Sequence, residues 1–353
     1  MDLLWWNKVT NASHFLSHII EYIQEGQNII LQLPECVPWY MTMRDIISTE
    51  VARLNSTRAY KCVTDSGIEP GEYLFNEFCK QEKRAHYRPG IGYAEFLAGS
   101  DDIVLNDYIL WVSDVAKEQV KKWYSFIGDY TKALGKKKHG CIFLIETRSK
   151  NNLQEKKGIR NISYEKEIEY YDNYLFNMLA ASSLKESALF KRYLAEVVST
   201  VLFDDVELAS KCVGYGRNFL ENPIETICQI VENELRSDGT EFTFKMGEKS
   251  MQEYIWEAQI KVIFPLVEKH RSSIIKKYKA EIERLLPIKA VYGEVFNEAN
   301  DVELGTISYL ASIGKIEMSG RDSDKVLKLK EARNTLAHLG ILPQEKVDEI
   351  FDL

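Results

Sequence analysis

The chain has 353 residues, of which 45% are apolar and 28% charged, and a formal net charge of −8. Its length exceeds the about 250–300 residues that one hydrophobic core fills, so more than one domain is expected. The acidic balance argues against a protein whose whole surface follows nucleic acid. No run of about 18 apolar residues occurs, so no apolar membrane span is expected, and the opening "MDLLWWNKVTNASHFLSHIIEYI" lacks the basic leader and small-residue cleavage site of a signal peptide. Cys36, Cys62, Cys79, Cys141, Cys212 and Cys228 are scattered without a CxxC spacing and read as reduced thiols of a soluble, cytoplasmic protein.

In chain order, Phe15, Leu16, Ile19, Ile20 and Ile23 fall at helical spacing and Gly26 ends the helix. "NIILQLP" then reads as a strand, "WYMTMRDIISTEVARL" (39–54) as a helix and "AYKCVT" (59–64) as a β-rich stretch. "DYILWVSD" (107–114) is the next strand. "AKEQVKKWYSFIGDYTKAL" is a helix with Val120, Trp123, Phe126 and Ile127 on one side, and "GCIFLIET" (140–147) is a further strand. Strands that are apolar throughout and alternate with helices predict a parallel sheet covered on both faces. The polar stretch 148–167 leaves this domain and carries one short strand at "GIRNIS".

From 165 onward the pattern is helical. Pro223 stands at a helix start, and "QEYIWEAQIKVIFPLVEKHRSSIIKKYKAEIERLL" (252–286) carries a stripe of Trp256, Ile260, Ile263, Phe264 and Val267, with Pro265 expected to kink it. "DVELGTISYLASIG" and "SDKVLKLKEARNTLAHLG" supply two more helices, the second with Gly340 as its C-cap, and Pro343 opens the last. The expected fold is α/β plus α: a three-layer α/β domain over 1–160, a helical bundle over 161–240 and a C-terminal helical domain over 241–353.

The element order of residues 1–150 resembles the core of a P-loop NTPase of the AAA or STAND type. "NIILQLP" stands where the strand leading to the phosphate loop would stand, "YILWVSD" resembles a Walker B strand ending in Asp114, and "CIFLIETR" is similar to the sensor strand. The family's GxxxxGK[ST] is missing: "ECVPWYMTMRD" offers no glycine, and no lysine before Arg44. A phosphate cradle needs converging backbone N–H groups and a lysine. Pro34 and Pro38 lack the N–H, and Glu35 adds a like charge. ATP is therefore not expected in the loop at 34–44, and no cofactor is expected. Asp114 is a candidate metal ligand or, more simply, a helix cap.

Near the C-terminus, Glu331, Asn334 and His338 are spaced three and four apart and share a helix face, with Arg333 about 100° round. Leu327, Ala337 and Leu339 are left to pack. Arg-Asn-x3-His over Arg333, Asn334 and His338 resembles the motif of HEPN domains, helical modules in which it forms a metal-independent ribonuclease site when presented twice by a dimer. By its own chemistry, His338 can move a proton near neutral pH and Arg333 can stabilise a charged phosphorane. The alternative is that these side chains bond internally, to Glu331 or to the 252–272 helix.

Other signals are weaker. "KKKH" (136–139) and "IIKKYK" (274–279) read as solvated basic faces, "RPGIGYAEF" as a turn before a short helix, and His14 and His18 as one face of an amphipathic helix. His86 and Cys79 lack ligand-spaced neighbours, so no metal site is expected. The functional expectation is a non-catalytic regulatory or assembly protein on an inactive NTPase fold, of the kind found in bacterial defence, with a protein partner or self-association and no membrane. The alternatives are a ribonuclease acting through Arg333, Asn334 and His338, and a sensor of nucleotide or nucleic acid.

Overall fold

The structure is a computed structural model and describes residues 1–54, 57–88, 90–99, 104–135, 140–150, 153, 156–289 and 293–353. The basic run 136–139, Pro89 of the glycine-rich stretch and part of the 148–167 connection lie outside the described residues. The chain forms two compact units, Met1–Asp172 with Ser237–Gly239, and Asn173–Arg236 with Thr240–Leu353.

The first unit is built on five parallel strands, β1 (Asn28–Gln32), β2 (Ala59–Thr64), β3 (Tyr108–Ser113), β4 (Ile142–Thr147) and β5 (Ile159–Ser163), in the order β2-β3-β4-β1-β5. β1, β3 and β4 are buried almost throughout, as apolar runs covered on both faces must be, whereas the edge strand β2 is half-buried. The pairings Ile30↔Ile145 and Val112↔Ile145 set one face of the sheet. Ile30, Leu110, Val112, Phe143 and Ile145 pack there with Trp123, Ile127 and Tyr130 of the helix Lys117–Leu134. Strand residues alternate between faces, so Trp111, Leu144 and Glu146 point the other way. There Glu146 meets Tyr40, the first residue of the helix Tyr40–Leu54.

In the second unit one core runs through the helices Ala188–Val201, Val206–Tyr215, Pro223–Asn233, Glu248–Lys277, Leu304–Ser312, Gly320–Ala337 and Gln344–Phe351. The segments 161–240 and 241–353 set apart in the sequence both contribute to that core. Pro265 stands inside the thirty-residue helix Glu248–Lys277, which continues past it, the ring removing one rung of the hydrogen-bond ladder without ending the helix. A short antiparallel ribbon, β6 (Ile288–Lys289) with β7 (Val295–Phe296), lies between two helical stretches. Among the described residues no helix is long and apolar enough to cross a membrane.

Candidate functional site

The helix Gly320–Ala337 starts at Ser319, whose hydroxyl accepts the Asp322 N–H at 3.2 Å, and buries Val326, Leu329, Ala332 and Leu336 at spacings of three and four. These four residues make its core face. Leu327 and Leu339, expected to pack, are instead exposed at 54% and 72%, and Ala337 is exposed too: Leu327 lies opposite the core face, and Leu339 stands beyond the helix end. The helix closes in a Schellman motif: Leu339 N–H donates to Leu336 O and Gly340 N–H to Thr335 O. The left-handed residue is Leu339, at φ 62°, one position before the glycine expected to take it. A Cβ on Gly340 would fit tightly, 3.0 Å from Thr335 Cγ2 and 3.1 Å from the Thr335 carbonyl oxygen.

His338 therefore sits at the C-cap, where regular helical projection stops. Together with Arg333 and Asn334 it lines a cleft of about 720 Å³. Lys330 joins from the same helix, Lys289, Glu294 and Phe296 from the ribbon, and Glu303 to Thr306, Tyr309 and Leu310 from the start and middle of the helix Leu304–Ser312. Arg333 Nη2 donates to Glu303 Oε1 at 2.9 Å. The His338 side chain is exposed and makes no hydrogen bond with any described residue. Glu331 is not part of the cleft: its carboxylate lies 3.7 Å from Lys346 Nζ, on another side of the helix. The sequence grouping of Glu331 with Asn334 and His338 is thus replaced by one of Arg333, Asn334 and His338 with Lys330 and Glu303.

The long helix Glu248–Lys277 holds this end of the motif helix through two residues three apart. Trp256 Nε1 donates to Leu336 O at 2.8 Å, and fully buried Gln259 both accepts the Leu342 N–H and donates to Leu342 O, each at 2.8 Å. Gln259 Nε2 also donates to Tyr193 Oη at 2.9 Å. The backbone on both sides of His338 is thereby tied to the core, while its ring faces solvent.

The first unit offers a second place to look. β1 connects to β2 and β4 to β5, so the chain leaves these adjacent strands in opposite directions, and ligands of open α/β sheets bind outside the carboxyl ends of such strands. At this end of the sheet a buried carboxylate gathers polar and charged side chains. Glu146, fully buried, accepts from Trp111 Nε1 at 2.8 Å, Tyr40 Oη at 2.7 Å and Arg148 Nη2 at 3.1 Å. Arg148 Nη1 donates to Pro34 O at 2.6 Å, tying the loop that follows β1 to the end of β4. Burial first, and then the Glu146 carboxylate, push the Tyr40 hydroxyl well above its ordinary range, so it donates as a neutral phenol. The Arg44 guanidinium lies over the Tyr40 and Trp111 rings, 5.4 Å from each centroid, and reaches the Cys62 thiol, whose own pKa burial raises. Trp39 (φ 44°) and Asp114 (φ 57°), left-handed non-glycine residues like Leu339, flank this end of the sheet. Asp114 is exposed and accepts from Ser113 Oγ at 3.2 Å.

All six cysteines are free thiols. The His14 and His18 rings lie 6.4 Å apart, and His18 Nδ1 is 3.1 Å from Glu167 Oε2. Among the described residues no group of three or more His, Cys, Asp and Glu is placed to hold a metal. Lys289, Glu303 and Tyr309 reach the cleft from elements far along the chain and belong to no motif, so nothing in the local sequence marks them. The strand-end residues Glu146 and Arg148 carried a signal, a charged pair closing an apolar strand. Compared with protein-family models and with curated proteins, this chain matched none.

Proposed function

We propose that the cleft of the second unit binds single-stranded RNA and cleaves it without a metal. The observation that carries this reading is the His338 ring, exposed and without a hydrogen bond to any described residue, in one cleft with Arg333 and Asn334. A structural role would engage the imidazole with the fold; a proton-transfer role needs it accessible. Lys289, Lys330 and Arg333 supply cations for phosphates, and Tyr309, 51% exposed, supplies a face on which a base stacks.

In this reaction the 2′-oxygen attacks the adjacent phosphorus and the bond to the 5′-oxygen breaks, leaving a 2′,3′-cyclic phosphate and a 5′-hydroxyl. His338 takes the 2′-hydroxyl proton, and Arg333 stabilises the charge that develops on the phosphoryl oxygens. The departing 5′-oxygen needs a proton, for which a second copy of the chain would bring a second imidazole. Leu327, more than half exposed on the motif helix, offers an apolar contact for that copy.

A regulatory or assembly role belongs to the first unit. Its expected partner is a protein and not ATP, a reading that fits Arg148 holding the Pro34 carbonyl in the loop at 34–44. Metal-free degradation of RNA by the purified protein and its His338→Ala variant, over a range of protein concentrations, tests the ribonuclease reading. Cleavage that rises with self-association and disappears in the variant supports it; intact RNA with both folded proteins removes it.

A further inference from the structure

Glu303 occupies an unusual position for a carboxylate. It is the N-cap of the helix Leu304–Ser312, where a side chain ordinarily accepts a hydrogen bond from the first turn, yet it makes no such bond. Its Oε1 instead reaches Arg333 Nη2, at 2.9 Å and thirty residues away in sequence. Both side chains are partly open to solvent, at 48% and 36%. Among the described residues, the charged groups around the cleft are Lys289, Lys330 and Arg333 against Glu294 and Glu303. One of the two carboxylates thus sits on the cation that the reading above assigns to the phosphate.

We propose that Glu303 is a built-in competitor for the RNA phosphate: its carboxylate holds the Arg333 guanidinium in the empty cleft and is displaced when a phosphodiester binds. This inference rests on the cleft being an RNA site. A carboxylate and a phosphate both offer paired oxygens to a guanidinium, so one excludes the other. The displaced carboxylate has a second seat, over the uncapped backbone N–H groups at the start of its own helix, where a negative charge is favoured. An exposed ion pair is worth at most about 1 kcal/mol, a several-fold handicap that a phosphodiester can overcome. The handicap is graded: RNA, which engages several cations at once, overcomes it more readily than a lone anion does.

Removing the carboxylate charge should tighten RNA binding by about three- to fivefold, the equilibrium equivalent of an exposed pair. It should also release one more cation for phosphate contact and steepen the dependence of log K on log salt by about 0.7 for a single strand. The experiment measures fluorescence anisotropy of a labelled 2′-O-methyl oligouridylate, which cannot be cleaved by 2′-oxygen attack, with wild type, Glu303→Gln, Arg333→Ala and the double variant at several salt concentrations. The expected result is tighter, more salt-sensitive binding by Glu303→Gln and no gain from that change in the Arg333→Ala background. Equal binding by wild type and Glu303→Gln, with loss in Arg333→Ala, overturns the competitor and leaves the RNA site standing. A gain that persists undiminished without Arg333 also overturns it, as a general charge effect. If no protein binds the probe, both readings fall.

Discussion

Replacing Gln259 by leucine is expected to destabilise the second unit by about 4 kcal/mol. Leucine is close in volume, so no large cavity opens, and the loss is one of hydrogen bonds. Leu342, 5% exposed, would keep a buried N–H and a buried carbonyl with no partner, and Tyr193, 2% exposed, would lose its donor. An orphaned buried polar group costs about 1–3 kcal/mol, so the two backbone groups alone set a range of about 2–6 kcal/mol. In units of this size that corresponds to about 2–4 °C of melting temperature per kcal/mol. Tyr193→Phe is the internal control: Gln259 keeps both bonds to Leu342 and loses only its bond to Tyr193 Oη, for about 1 kcal/mol. Urea unfolding with an unchanged m-value reads both variants. A Gln259→Leu protein within about 1 kcal/mol of wild type would refute the claim that this amide clamps the chain beyond His338.

Three more outcomes follow from the same geometry. ATP should produce no rise in melting temperature; a rise growing with the logarithm of ATP concentration would show that the Arg148–Pro34 closure opens to the nucleotide. Asp322 has its carboxyl drawn down from 3.8 to about 2, first by the Lys277 ammonium and then by the Tyr278 and Ser319 hydroxyls. The folded pKa lies below the unfolded one, so this stabilisation is present above about pH 4 and is lost as the pH falls toward 2. Asp322→Asn should be less stable than wild type at neutral pH, with the difference closing across that window in thermal melts. Tyr309→Ala should weaken RNA binding by about 1–3 kcal/mol in anisotropy titrations, and unchanged affinity would remove the stacking platform.

Much of the architecture was legible in the sequence because burial on both faces leaves a strong mark. β2 matches "AYKCVT" residue for residue, and β3 and β4 lie within "DYILWVSD" and "GCIFLIET". The ribbon of β6 and β7 was not legible, because two-residue strands leave no alternation to read. The packing side of the motif helix was misjudged because Leu327 and Leu339 are apolar in type yet lie away from Val326, Leu329, Ala332 and Leu336, and an isolated helix pattern does not say which stripe meets a neighbour. Arg333, Asn334 and His338 were found as a motif. The direction of the His338 ring and the Arg333–Glu303 contact depend on where the helix stops and on a partner thirty residues away, which no local spacing encodes.

The chemistry of the cleft is tested by a paired substrate. Wild-type protein in the presence of a chelator would receive an RNA oligonucleotide and the same sequence made entirely of deoxynucleotides. The RNA should be cut to products ending in 2′,3′-cyclic phosphate and 5′-hydroxyl while the DNA stays whole, because the attacking oxygen is missing. Cleavage of both substrates, or of neither by folded and self-associated protein, would contradict it.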